Sequence, residues 1–144
     1  MADRHDTLSK LYTRLIDSRD GYKEAMEDAT SPTVKGTLND MAERRTRDAA
    51  ELRSFLAREG VELDDDGSLL AAAHRTFMNM KDAVTGTDDK AIMQEILRGE
   101  KSLHEQYHDA MEKSGPSHPE YAILKAQHDA LYEEIQRFEA RSAA

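Results

Sequence analysis

The sequence predicts an all-α fold, an up-down four-helix bundle with a short extra helix in one long connection. Three observations lead there. Apolar residues recur at three- and four-residue spacing along most of the chain, the period of a helix face and not of a strand. Ala, Glu, Leu, Lys, Arg and Met are plentiful, and no long alternating β-branched run occurs. Caps, prolines and glycines then cut the chain into four long helical segments and one shorter one.

The first helix is expected from about Asp3 to Asp28, with Leu8, Leu11, Leu15, Tyr22 and Met26 on its apolar stripe. "TSP" at Thr30 to Pro32 ends it, and Ser31 is a good N-cap with Pro32 at the first helical position. The second helix runs to about Glu59 with a stripe of Val34, Leu38, Met41, Leu52 and Phe55. Gly60 supplies its stop. "VELDDDGS" is a polar connection with Asp66 or Ser68 as the next cap. A shorter third helix follows from about Ser68 to Val84, lined by Leu70, Ala73, Phe77, Met80 and Val84. "TGTDD" breaks it, and Thr87 or Asp88 caps the fourth, which carries Ile92, Ile96, Leu103 and Tyr107 and stops at "KSGPSHP". Pro119 starts the fifth, with Leu124, Leu131, Ile135 and Phe138 on its stripe.

Short loops make consecutive helices antiparallel, whereas a longer crossover is needed where two neighbours run parallel. The segment from Gly60 to Asp88 is long enough to be that crossover. This is the architecture of the ferritin-like class, filled by one domain over residues 1–144.

Composition narrows the function classes. The net charge is −9, which argues against nucleic acid and anionic membrane as partners, because phosphate binding needs clustered Lys and Arg. There is no cysteine, so disulfides, thiol catalysis, iron–sulfur clusters and Cys-type zinc sites are excluded. "MADRHDTLSK" lacks the apolar core of a signal peptide, and the longest apolar run, "LLAAA", is far too short to span a bilayer. A soluble cytoplasmic protein is the expectation.

The stretch "RGEKSLHEQYHDAME", Arg98 to Glu112, raises the question of metal. Glu105-Gln106-Tyr107-His108 is a Glu-x-x-His, the spacing by which di-iron bundles hold their ions. Such a centre needs one inward Glu from each of two helices and an inward Glu-x-x-His from each of the other two. The first helix has no mid-stripe Glu. On the second, Glu43 and Glu51 lie off the stripe and lack a His three residues later. On the fourth, the stripe Ile92, Ile96, Glu100, Leu103, Tyr107 turns Glu100 inward, while Glu105, two residues past Leu103, faces outward. On the fifth, the stripe Leu124, His128, Leu131, Ile135 turns His128 inward, with Lys125 in place of a carboxylate three residues before it.

The full di-iron set is therefore absent. An inward Glu100 must be paired or protonated. Arg45 and His128, with Asp48 and Arg19 near the same level, are the residues to pair it in a polar network. The other reading is a reduced iron or zinc site at Glu100 and His128 with Asp48 or His104. His104 and His108 lie about one turn apart on a polar face. They read as solvated, with a spacing that also suits weak binding of a divalent ion. The seven Met residues read as core filling, His74 as a surface residue, and "GTDDK" as a helix cap. No nucleophile–base pair or phosphate loop is found.

"AAAHRTFMNMKDAVTGTDDKAIMQEILRGEKSLHEQYHDAME" resembles a bacterial family of ferritin-like four-helix proteins whose domain is of unknown function. The resemblance rests on Arg75 after His74, Lys81, the Gly-Asp-Asp-like break, Glu95, Gly99-Glu100 and Tyr107. "DGYKEAMEDA" and "AERRTRDAAELRSFL" extend it into the first half. Phe77 departs from the pattern, standing where Trp is usual. The resemblance implies the fold and a stress-associated role and brings no chemistry with it. The expectation is a non-enzymatic bundle without a cofactor, the alternative an iron-handling, ferroxidase-like protein. A homodimer through a helical face is compatible with either.

Overall fold

The computed structural model describes residues 2–63 and 89–143, and the expected short helix from Ser68 to Val84 lies outside the described residues. The described residues form four helices: α1 (Ala2–Asp28), α2 (Pro32–Arg58), α3 (Asp89–Ser114) and α4 (Glu120–Ala143). Among the described residues there is no strand.

The expected punctuation forms at Ser31 and Gly60 and in the stretch after Ser114, while the caps expected at Asp66 or Ser68 and at Thr87 or Asp88 lie outside the described residues. Ser31 caps α2 by accepting a hydrogen bond from the Val34 N–H at 3.4 Å, with Pro32 beginning the helix. Gly60, at φ 78°, closes α2. Its N–H reaches the Ala57 carbonyl at 3.1 Å and the Val61 N–H reaches the Leu56 carbonyl at 2.9 Å, the paired bonds of a Schellman end. Gly115, at φ 77°, ends α3 with one bond from its N–H to the Met111 carbonyl at 2.9 Å.

The core has two apolar clusters. One joins Leu8, Leu11 and Leu15 of α1, Leu52 and Leu56 of α2, Leu103 and Tyr107 of α3, and Leu124 and Leu131 of α4. The other joins Tyr22 and Ala25 of α1, Val34 and Leu38 of α2, Ile92 and Ile96 of α3, and Phe138 of α4. The start of α1 thus lies level with the end of α2, the end of α3 and the start of α4. Helices α1 and α4 run one way, and α2 and α3 the other. A bond of 3.2 Å between Ser31 and Asp89 brings the starts of α2 and α3 together. Helices α2 and α3 are parallel, with the end of α2 and the start of α3 at opposite ends of the bundle, as the length of the segment after Gly60 leads one to expect. Helix α1 packs on α2 and α3, and α4 packs on α3 and α2.

Candidate functional site: the polar layer between the clusters

The two clusters are separated by a layer to which every helix contributes. Ser18 lies between Leu15 and Tyr22 on α1. Arg45 lies between Ala42 and Ala49 on α2. Glu100 lies between Ile96 and Leu103 on α3, and Glu134 between Leu131 and Phe138 on α4. All four are buried: Arg45 is 1% exposed, Glu100 3% and Glu134 5%.

Arg45 is the centre. Its Nη2 donates to Glu134 Oε2 at 2.9 Å and lies 3.5 Å from Glu100 Oε2. Its Nη1 lies 3.7 Å from Asp48 Oδ2, one turn along α2. Arg44 reaches Glu134 from the surface side at 3.5 Å. The Tyr22 hydroxyl donates to Glu100 Oε1, which ties α1 to α3. Nearby, Arg14 of α1 donates to Ser18 Oγ and, at 3.3 Å, to the Gly99 carbonyl. A Cβ on Gly99 would stand 3.8 Å from the Tyr22 hydroxyl, in ordinary contact with it.

A second strand of hydrogen bonds runs from the layer along the α2–α4 seam. The Tyr107 hydroxyl donates to Gln127 Oε1 at 2.6 Å, and Gln127 Nε2 donates to the Asp48 carbonyl at 3.2 Å and to Glu51 Oε1 at 2.8 Å.

Charge and burial compete in this layer. Burial lowers the Arg45 pKa, but the charges of Glu100, Glu134 and Asp48 outweigh it and leave the pKa raised, so the guanidinium stays charged. Burial raises the Glu134 carboxyl above its ordinary range, Arg45 opposes this, and Glu100 adds to it. Asp48 is raised for the same first reason, again against Arg45. Burial, then the neighbouring Glu100 charge, pushes the Tyr22 phenol well up. Three acids thus face one buried guanidinium, with Arg44 on the surface side of Glu134, and the layer is closed to solvent at its centre. Neither the groove of about 610 Å³ between α1 and α2 nor the one of about 460 Å³ between α1 and α3 is lined by Arg45, Glu100 or Glu134.

The residues weighed from the sequence fall into two places. Glu100 and Asp48 meet at Arg45. His104 and His128 do not join them. Their rings stack on each other at the α3–α4 seam, with centroids 4.2 Å apart. The expectation that His128 would pair with Glu100 is therefore corrected. The α4 stripe is Leu124, Gln127, Leu131, Glu134, Phe138, and His128, one residue on from Gln127, is turned about 100° away, toward α3. Arg19 also stays out of the layer, bonding Asp20 at the surface at 2.9 Å. Glu105 and His108 are exposed, and His104 is half-buried rather than mainly exposed, because His128 covers its ring.

Glu134 and Gln127 were not singled out from the sequence. The signal for both was the alternating three–four spacing of 124, 127, 131, 134 and 138, which carries two polar residues on an otherwise apolar face. A dinuclear metal centre of the Glu and Glu-x-x-His type does not fit this layer: among the described residues no histidine reaches it, and a fixed guanidinium stands between its carboxylates. Among the described residues, no three His, Asp or Glu side chains are gathered as a metal-holding group. No described helix is long and apolar enough to cross a membrane.

Residues 3–113 match the family model described as a domain of unknown function, DUF2383. No curated protein and no solved structure matches the chain.

Proposed function

Because the chain belongs to the DUF2383 family, whose domain has no known function, we propose its role from its own chemistry: a non-enzymatic, ferritin-like helical bundle whose centre is held by a buried arginine–carboxylate network. The observation that carries this reading is the Arg45 guanidinium between Glu100 and Glu134, where a ferritin-like bundle would place its cations. The order of helices, with α2 and α3 parallel across a long connection, supports the ferritin-like assignment. A buried guanidinium is permanently charged and has no open coordination position, so it supplies neither a redox step nor an activated water. The chain then acts through its outer surface, as a binding or scaffold protein or as a homodimer formed through a helical face. A stress-associated role and a cytoplasmic location belong to the same proposal, with the family resemblance and the charged, cysteine-free composition as their support.

One observation favours a second reading. Three carboxylates, Glu100, Glu134 and Asp48, face Arg45, with Arg44 reaching Glu134 alone from the surface side, and a cation added beside Arg45 would balance the remaining acid. That reading is a reduced iron or zinc site around Glu100.

Iron separates the two. The protein is purified from cells grown with added iron, iron per chain is measured, and Fe(II) oxidation is followed. The first reading expects no iron that depends on Glu100 and no acceleration of Fe(II) oxidation. About one iron per chain with an absorption band, lost in Glu100→Gln, would defeat it. Light scattering after size exclusion tests the homodimer.

A further inference from the structure

The α3–α4 seam carries a cluster that the central layer does not use. His104 and His108, one turn apart on α3, face His128 on α4. The His104 and His128 centroids are 4.2 Å apart, and those of His108 and His128 are 6.3 Å apart. Tyr132, the only large hydrophobic exposed among the described residues at 51%, lies one turn on along α4 and closes the cluster, 5.7 Å from the His104 ring.

We propose that His104, His108 and His128 form a surface site for one divalent transition-metal ion of the zinc, copper(II) or nickel(II) class, with a fourth position open to water or an external ligand. Each of these ions favours imidazole nitrogen over carboxylate oxygen. In a tetrahedral site with metal–nitrogen bonds of about 2.1 Å, ring centroids stand about 3.2 Å from the metal and about 5 Å from one another. The two distances here bracket that value, one about 1 Å short and the other about 1 Å long.

The rings do not yet converge on a common point. The missing adjustment is a rotation of side chains: His128 is half-buried with its ring at the edge of the seam, and His108 is exposed.

Two further observations point to ligands. Asp129 Oδ1 lies 2.9 Å from His128 Nδ1, and a carboxylate there fixes the proton on Nδ1 and leaves Nε2 as the free donor. Asp129 is itself held by Lys125 at 2.8 Å. His104 Nε2 is buried without a hydrogen-bond partner, a cost that a metal bond would remove. For His108, Glu112 stands 3.2 Å from Nε2, in position to orient that ring while Nδ1 turns to the metal.

The test is zinc titration of the metal-free full chain by calorimetry at pH 7.5, with the unfolding temperature measured in parallel. The expected result is one zinc per chain and an unfolding temperature that rises with zinc. His104→Ala, His108→Ala and His128→Ala should each weaken binding at least tenfold and lose the temperature rise, while His5→Ala, outside the cluster, should not. Far-UV circular dichroism of each variant, with His→Asn versions as a milder change, separates lost ligands from lost folding. No binding at millimolar zinc, or affinity unchanged in folded His104→Ala and His128→Ala, would overturn the proposal. Iron that depends on Glu100 would leave this zinc result untouched, so the two proposals fail separately.

Discussion

Arg45 Nη2 lies 2.9 Å from Glu134 Oε2, joining α2 to α4 across the middle of the bundle, and the same nitrogen faces Glu100 of α3 at 3.5 Å. One guanidinium therefore ties three helices at the level where the two apolar clusters part. Tyr22, bonded to Glu100, brings in the fourth.

Removing one acid from this layer loosens the network without discharging it. Glu100→Ala leaves Arg45 with Glu134 and Asp48 but removes the carboxylate that accepts from the Tyr22 hydroxyl, and losing a buried hydrogen-bond partner costs about 1–3 kcal/mol. Glu105→Ala and His108→Ala, at exposed positions of the same helix, should stay within about 0.5 kcal/mol. Urea unfolding of the three variants checks the contrast. Equal losses at Glu100 and Glu105 would mean that the helix phase is wrong.

Arg45→Met should be more damaging than Glu100→Ala, because Glu100 is left buried without a cation and Glu134 keeps only Arg44 on the surface side. The triple variant Arg45→Met, Glu100→Leu, Glu134→Leu should recover that loss. Replacing a whole buried ion cluster by apolar residues is typically neutral or stabilising by about 1–4 kcal/mol. If the triple variant is no better than the single one, the layer contributes through shape rather than charge. Comparing their chemical-denaturation midpoints decides this.

The acids also set a pH dependence. Glu134 is raised above 4.5 and Asp48 above 3.8 by burial, so the folded chain holds protons that the unfolded chain has released. Stability from these two groups is present at low pH and is lost as pH rises through their folded pKa values. His104 works the other way. Its pKa lies below 6.5, so its contribution is present above that pH and is lost as pH falls through 6.5 toward the folded value. Unfolding midpoints taken from pH 4 to pH 8 should therefore respond to two substitutions in different windows. Glu134→Gln should remove a downward slope that begins near pH 4.5. His104→Asn should remove an upward slope that ends near pH 6.5. Slopes unaffected by both substitutions would contradict the assignment.

Much of the layer could be read from the sequence, and the part that could not has a definite cause. Glu100, Arg45 and Tyr22 interrupt or extend clear apolar stripes, so their inward direction followed from spacing alone. The Glu-x-x-His at Glu105 was placed outside by the same rule, and it is exposed. On α4, a stripe of Leu124, His128, Leu131, Ile135 and one of Leu124, Gln127, Leu131, Glu134 differ by one residue, about 100° of rotation. Leu124 and Leu131 belong to both. What separates them is the neighbour: Gln127 finds the Asp48 carbonyl and Glu51 on α2, while His128 finds His104 on α3. That choice depends on the order of helices around the bundle, which no single helix encodes.

Two glycines should respond in opposite directions. Gly36 lies inside α2 with open space where a Cβ would stand, so Gly36→Ala should stabilise by about 1 kcal/mol through helix propensity. Gly60 also has open space but sits at φ 78°, so Gly60→Ala should destabilise by about 1 kcal/mol or more. Thermal unfolding of both variants tests whether α2 runs through the first position and ends at the second.

The most direct test of the central guanidinium is a double-mutant cycle on Arg45→Met and Glu134→Leu, run by urea unfolding in EDTA so that no metal contributes. Residues joined in one buried ion network couple by about 0.5–3 kcal/mol, and a charge pair this well buried should stand at the upper end, about 2 kcal/mol or more. Additivity within about 0.3 kcal/mol, the behaviour of independent sites, would contradict a layer held together by Arg45.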